Sequence, residues 1–298
     1  LKPMAGKIQI PEELKSDLPH NNWGKVLGAT PIIMTVIATM LAGLASSEMT
    51  KAQYDRSLAA QLQSKAGDQW GYFQAKKLRS TVLRNSLDLL VATSDVQPLT
   101  ADALPGADAA TVAALTKNEL PPAPPAKFDE SVNAVLEAVE TYKPESEILA
   151  ALAKVNDATL ATSLLAAKDA ANAFDSAAKP VNKTVDKLDE TLMFGDKRIF
   201  RDFTGARLRY VSARYDTEAR LNAAIGGVYE LQVRKGNLSA EKHHKRSQKF
   251  FFGMLAAQLA VIVSTFAIAA RQKSFLWSVA AAAGMAAVSF SVYVYLRV

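Results

Sequence analysis

The last fifty residues constrain the fold most. Residues 250–270, "FFFGMLAAQLAVIVSTFAIAA", and 275–296, "FLWSVAAAAGMAAVSFSVYVYL", contain no Asp, Glu, Lys, Arg or His, and only "RQKS" parts them. About twenty apolar residues in a helix cross about 30 Å of hydrocarbon at about 1.5 Å per residue. Two membrane-spanning helices in a tight hairpin are therefore expected. A third such stretch, 26–46, "VLGATPIIMTVIATMLAGLAS", lies near the other end. The expected fold class is an all-α membrane protein: one N-terminal transmembrane helix, two more as a C-terminal hairpin, and a large helical soluble insertion between them. A cleaved signal peptide is the rival reading of 26–46, but its apolar run is long for one and no A-x-A site follows.

Trp23 and Trp277 fall at one expected interface and Tyr293 and Tyr295 near the other, where amphipathic rings prefer to sit. Lys51, Arg56, Lys65, Lys235, Lys242, Lys245, Arg246, Lys249 and Arg297 flank the spans on the insertion side. They outnumber Lys7, Lys15, Lys25, Arg271 and Lys273 opposite, which predicts a cytoplasmic insertion.

Between the spans the sequence divides by composition. After a tail at 1–25 and the span at 26–46, residues 47–94 read as a helical stalk. Tyr54, Leu58, Leu62, Ala66, Trp70 and Phe73 recur every three or four residues as one apolar stripe. A Pro- and Ala-rich linker follows at 95–127, with "PPAPPAKF" favouring extended backbone. Residues 128–190 are an Ala-rich acidic helical module, with breaks expected near Pro144 and Pro180. Residues 191–249 are a basic helical return stalk in which "GG" at 226–227 and "KGN" at 235–237 suggest kinks or short breaks. No run of alternating β-branched residues predicts a strand. The acidic and basic blocks either pack together or are solvated, or else the basic block near the bilayer meets anionic lipid heads through Lys242, Lys245, Arg246 and Lys249.

The stretches "DQWGYFQAKKLR" at 68–79 and "HHKRSQKF" at 243–250, together with the span layout, resemble a bacterial membrane family, domain of unknown function four-three-three-seven. The resemblance covers the N-terminal span and stalk and the C-terminal hairpin. It implies three spans and a helical soluble part, and no activity.

No phosphate-binding glycine loop, nucleophile elbow or zinc helix is present. With three histidines and no cysteine, neither a catalytic constellation nor a metal site is expected, and no cofactor. The adjacent His243 and His244 point about 100° apart on a helix and lie among cations. They read as a basic interfacial flank sooner than as metal ligands or a pH sensor. Asp68, Trp70, Tyr72, Phe73 and Gln74 form a cluster that either packs or holds a ligand.

The spans lack the buried ionisable groups of pumps and relays. Thr30, Thr35, Thr39, Gln258, Ser264 and Thr265 are polar enough to bond between helices. Gly253, Ala257, Ala280 and Gly284, with Ala287 or Val288, are spaced for close helix approach. The excess charge of +6 and pI near 9.3 are spread thinly and border the spans, so no nucleic-acid partner is expected. The expected function is a non-catalytic scaffold or accessory subunit of a larger membrane complex, respiratory or photosynthetic, in the bacterial inner membrane. Its partners would be other membrane subunits or copies of itself, and Tyr54, Leu58, Leu62, Trp70 and Phe73 would pack the stalk or contact the partner. A homo-oligomeric channel-like assembly and a membrane-anchored sensor using the soluble module are the alternatives.

Overall fold

The computed structural model describes residues 22–269 and 275–297. The tail 1–21 and the loop "RQKS", with the cations Lys7, Lys15, Arg271 and Lys273, lie outside the described residues, as does the tight turn expected there. Every described element is helical. Helix α1 (Asn22–Thr93) runs for 72 residues. A 3-10 turn (Ala101–Ala103), α2 (Ala109–Lys117), α3 (Glu130–Glu140), α4 (Glu145–Leu152) and α5 (Asp157–Leu192) follow. Then come α6 (Lys197–Ala269), 73 residues long, and α7 (Phe275–Arg297). The chain forms two compact units. Unit 1 runs up to Ser57 and resumes at Asn237, and unit 2 is Leu58–Gly236.

In unit 2 the short helices are set by local chemistry. Asp108 caps α2 by accepting from the Thr111 N–H at 2.8 Å. Asp129 accepts from Ser131 at 2.9 Å to start α3, and Asn156 from Thr159 at 2.6 Å to start α5. Such caps satisfy N–H groups that the first turn leaves unpaired. The break expected near Pro144 is present, since α3 ends at Glu140 and α4 begins at Glu145.

Three sequence expectations need correction. The linker 95–127 is not structureless: α2 lies within it, and Leu99, Leu104, Ala114 and Leu115 bury against Val181, Val185 and Leu188 of α5 and Phe203 and Tyr210 of α6. Residues 95–100, 104–108 and 118–129 lie outside any helix, the last being the longest such stretch. The break expected at Pro180 is absent, because α5 runs through it. A helix-interior proline costs about 3 kcal/mol. Burial of Phe174, Ala178, Val181, Val185 and Leu188 on one face offsets this, at about 1.5–3 kcal/mol for each of the larger side chains. The glycines at 226–227 and 236 do not interrupt α6 either.

A second core joins α3, α4 and α5 to α6 through Val132, Val135, Ile148, Leu152, Leu160 and Leu231. Tyr210 is wholly buried and donates its hydroxyl to Asn182 Oδ1 at 2.9 Å; burial pushes its pKa up to about 12. The acidic and basic blocks do meet. Arg207 pairs with Asp189, Arg234 takes Glu145 at 2.5 Å, and Lys235 reaches Asp157 at 2.9 Å.

Unit 1 holds the three apolar stretches, at the start of α1, the end of α6 and along α7. Each is long and apolar enough to cross a membrane. Its buried clusters are small: Leu41, Ala45, Phe250 and Val294 form one, and Ala38, Ala257 and Ala287 the other.

Candidate functional site: a small-residue helix seam

The surface that organises both units is a seven-residue repeat of small side chains. Along α1, Ala38, Ala45, Ala52, Ala59, Ala66 and Ser80 are all buried, with Phe73 partly buried in the same register. Along α6 the matching series is Gly205, Ser212, Ala219, Gly226, Val233, Ala240 and Ser247, every one buried. A heptad keeps one face of a helix turned to its neighbour. Small residues on that face let two backbones approach closely.

Contacts inside each unit show what the small residues admit. In unit 1 the Ser247 hydroxyl donates to the carbonyl of Ala45 at 2.7 Å, a bond to backbone that a bulky seam would hold apart. In unit 2 a Cβ on Gly226 would stand 3.3 Å from Trp70 Cε2, and one on Gly227 would stand 3.2 Å from Leu136 Cδ2. The paired glycines thus serve two adjacent faces of one unbroken helix. At Gly205 a Cβ would come within 2.9 Å of Val96 Cγ1, closer than atoms of real side chains stand.

This seam corrects the apolar stripe read from the sequence. Tyr54 is 68% exposed and Leu58 41%, while Leu62, Trp70 and Phe73 are partly buried. Ala66 of the stripe is wholly buried, but beside Tyr54 and Leu58 the inward residues are the smaller neighbours Ala52 and Ala59. At Tyr54 and Leu58 reading periodicity by bulk selects the flank, whereas Ala66 and Phe73 belong to both the stripe and the seam. Trp70 and Phe73 do come together, edge to face at 5.5 Å, and the Trp70 indole N–H donates to Glu230 Oε1 at 2.9 Å.

The small residues singled out in the apolar stretches lie inside unit 1. Gly253 faces Leu41 and Ser291, each 3.4 Å from a would-be Cβ, and Gly284 faces Met34 at 3.2 Å. Ala257 and Ala280 are buried, and of the last pair Ala287 is buried while Val288 is exposed. The expected bonds between helices do not form at four of the hydroxyls. Thr35 donates to the carbonyl of Pro31, Thr39 to that of Thr35, and Ser264 and Thr265 to that of Val261. A hydroxyl in an apolar stretch satisfies itself most cheaply on its own helix.

The histidines separate as their spacing requires. His243 donates through Nδ1 to Glu48 Oε2 at 2.6 Å, while Gln248 donates to Nε2 of His244 at 3.1 Å. Glu48 is buried and also accepts from Lys51 at 2.9 Å. Burial alone would raise its pKa, but the hydrogen bonds from His243 and Lys51, and their charges, outweigh it and hold the carboxyl below the usual range. Of the basic flank, Lys242 is exposed, Lys245 pairs with Glu241 at 2.6 Å, Arg246 is half-buried, and Lys249 stands 5.4 Å over the Tyr293 ring. The Glu48 to His243 pair, joining residues 195 apart in the chain, was not anticipated. Its only signal is that the alanine heptad around Ala45 and the small-residue heptad around Ser247 run in opposite directions.

These features define an all-helical protein with three helices suited to crossing a membrane, consistent with a multi-pass membrane protein. Residues 23–120 match the family described as Domain of unknown function (DUF4337). The match takes in the first apolar stretch, the rest of α1 and the segment through α2, and does not extend to the "HHKRSQKF" motif. No curated protein and no solved structure shows a significant match to the chain.

Proposed function

We propose that this chain is a non-catalytic, membrane-anchored scaffold or accessory subunit. It spans the bacterial inner membrane three times, carries unit 2 on the cytoplasmic side and packs against a larger membrane complex, of the respiratory or photosynthetic kind. The basic flank at Lys242, Lys245, Arg246 and Lys249 meets anionic lipid heads in this reading. One observation supports it above others: large apolar side chains face outward where small ones face the seam. In unit 1, Met40 is 65% and Phe266 63% exposed. In unit 2, Tyr72, Leu78, Val82 and Leu89 of α1 are exposed as well. Lipid accounts for the first group. The second lies beyond the apolar stretch and calls for a protein partner, because apolar surface facing water marks an interaction site when it gathers on one element.

Two experiments test this. A photo-crosslinking residue at Tyr72 or Val82, followed by gentle detergent extraction, native electrophoresis and mass spectrometry, should trap a fixed set of larger membrane subunits. A chain that migrates alone, uncrosslinked, removes the accessory reading. The native sequence has no cysteine, so a single cysteine placed in 118–129 reports sidedness cleanly. Labelling of intact cells by an impermeant maleimide would place unit 2 outside and overturn the orientation.

A further inference from the structure

The Trp70 neighbourhood of unit 2 encloses a cavity of about 360 Å³. Sites for small organic molecules start at about 300 Å³, are mostly apolar and carry a few placed polar groups. This cavity has that make-up. Trp70 and Phe73 of α1 supply two rings at 85° to one another, and Phe128, at the end of the irregular segment 118–129, supplies a third. The α6 side is small, with Ala223, Ala224 and Gly227. A Cβ at Gly227 would stand 3.2 Å from Leu136 Cδ2, so this wall of the cavity is closely packed against α3.

The charged groups lining the cavity are Glu140, Glu230 and Arg220. Arg220 is exposed and its guanidinium donates to Thr217 Oγ1 at 3.1 Å. Glu140 is exposed. Glu230 is partly buried and accepts only the Trp70 indole N–H; among the described residues no Lys, Arg or His stands within ion-pair distance of it. A carboxylate drawn partly out of water, with a neutral donor and no countercharge, favours a cation beside it. Aromatic faces favour the same charge, since a ring quadrupole attracts an ammonium placed over it. The indole is held by its nitrogen edge, between Glu230 and the bare backbone of Gly226.

We infer that this cavity binds a small organic cation, an ammonium group on an apolar or aromatic body. The ammonium meets Glu230, and the body lies among Trp70, Phe73 and Phe128. An anionic ligand would set its charge against two carboxylates for one guanidinium. A neutral ligand of the same shape would gain the burial and forgo the charge. This inference is independent of the scaffold reading, which stands whether or not the cavity is filled.

The test uses the full chain in mild detergent with Trp23 and Trp277 replaced by Phe, so that Trp70 is the sole indole. Its emission is followed during titration with phenethylamine, phenethyl alcohol and 3-phenylpropionate, three probes of one ring and different charge. Saturable change with the amine is expected, with about tenfold weaker binding of the alcohol, as the loss of one charge-assisted bond predicts, and no saturable change with the carboxylate. Glu230→Gln keeps an oxygen for the indole and should bring the amine to the level of the alcohol. Ala224→Leu should abolish the response to all three. Absence of saturation with the amine at millimolar concentration, equal binding of the carboxylate, or an unchanged amine affinity in E230Q would each overturn the inference.

Discussion

In unit 2 the wholly buried side chains include Phe174, Phe203, Tyr210, Leu152 and Leu160, whereas in unit 1 most buried positions are alanines such as Ala38, Ala45, Ala257 and Ala260. Most large apolar side chains of unit 1, among them Phe251, Phe252, Phe266, Ile32 and Ile33, face outward instead, with Phe250 a buried exception. The two units share a heptad of small residues and differ in what surrounds it. Water drives bulky apolar groups into a core. Against lipid, which we propose for unit 1, burying bulk gains nothing, so close backbone packing decides which residues go inside. One repeat therefore serves two media, and what lies on its far side is dictated by the solvent.

The largest expected effect separates the units by one chemical change made in each. Phe174→Ala in unit 2 should cost about 3–5 kcal/mol, the usual range for emptying a buried aromatic site. Phe266→Ala in unit 1 should stay within about 0.5 kcal/mol in detergent, as exposed substitutions do. Denaturant unfolding of the full chain, followed by far-ultraviolet circular dichroism, measures both. Equal losses would break the comparison, for they would mean that Phe266 is packed.

The seam predicts a cost shared by both units. Gly226→Leu drives a side chain at the Trp70 ring, and Ala257→Leu fills the space shared with Ala38 and Ala287. Each should lower stability by about 1–3 kcal/mol, the range for overpacking a close interface. A neutral Gly226→Leu would show that the helices of unit 2 separate freely, and the seam would then be a property of unit 1 alone.

These two experiments also mark what the sequence made legible. The apolar stretches, the absence of strand patterns and the small residues Gly253, Ala257, Ala280 and Gly284 could be read because each is a local feature. The inward face of the stalk was legible only in part, at Ala66 and Phe73. Tyr54 and Leu58 are larger than Ala52 and Ala59 and drew the stripe to themselves, yet close approach selects the alanines. Pro180 and Gly226–Gly227 looked like breaks because propensity is a local quantity, and the packing that overrides it is contributed by distant residues such as Leu136 and Trp70. The helix within 95–127 was hidden by its prolines, although Asp108 followed by Thr111 is a capping pattern. Glu48 and His243 could be joined only by knowing the register of two helices far apart in the chain.

That pair gives the next prediction. The Glu48 carboxyl titrates below the ordinary glutamate value of 4.5 in the folded chain, so its stabilisation is fully present above that pH and is lost as pH falls through the lowered value. Glu48→Gln should cost about 1.5 kcal/mol near neutrality, the scale of hydrogen bonds to a charged group. The gap between wild type and variant should close on acidification below pH 4.5. A gap independent of pH would show that Glu48 acts through shape and not through its charge.

The smallest effect falls on the corresponding pair of unit 2. Arg234 Nη1 reaches both oxygens of Glu145, at 2.5 and 2.6 Å, so its geometry is at least as good as that of Glu48 with His243. The difference is water. The Glu145 side chain is 58% exposed and that of Glu48 11%. Solvent screens the first pair, and ordering two long side chains costs entropy, so exposed pairs couple by about 0.2–1 kcal/mol. A double-mutant cycle with Arg234→Ala and Glu145→Ala should return a coupling in that range and shrink further in high salt. A coupling above that of the Glu48 pair would mean that Glu145 is shielded in the assembled protein. In the scaffold reading that shield is the partner, so repeating the cycle in native membranes and in detergent would locate where it sits.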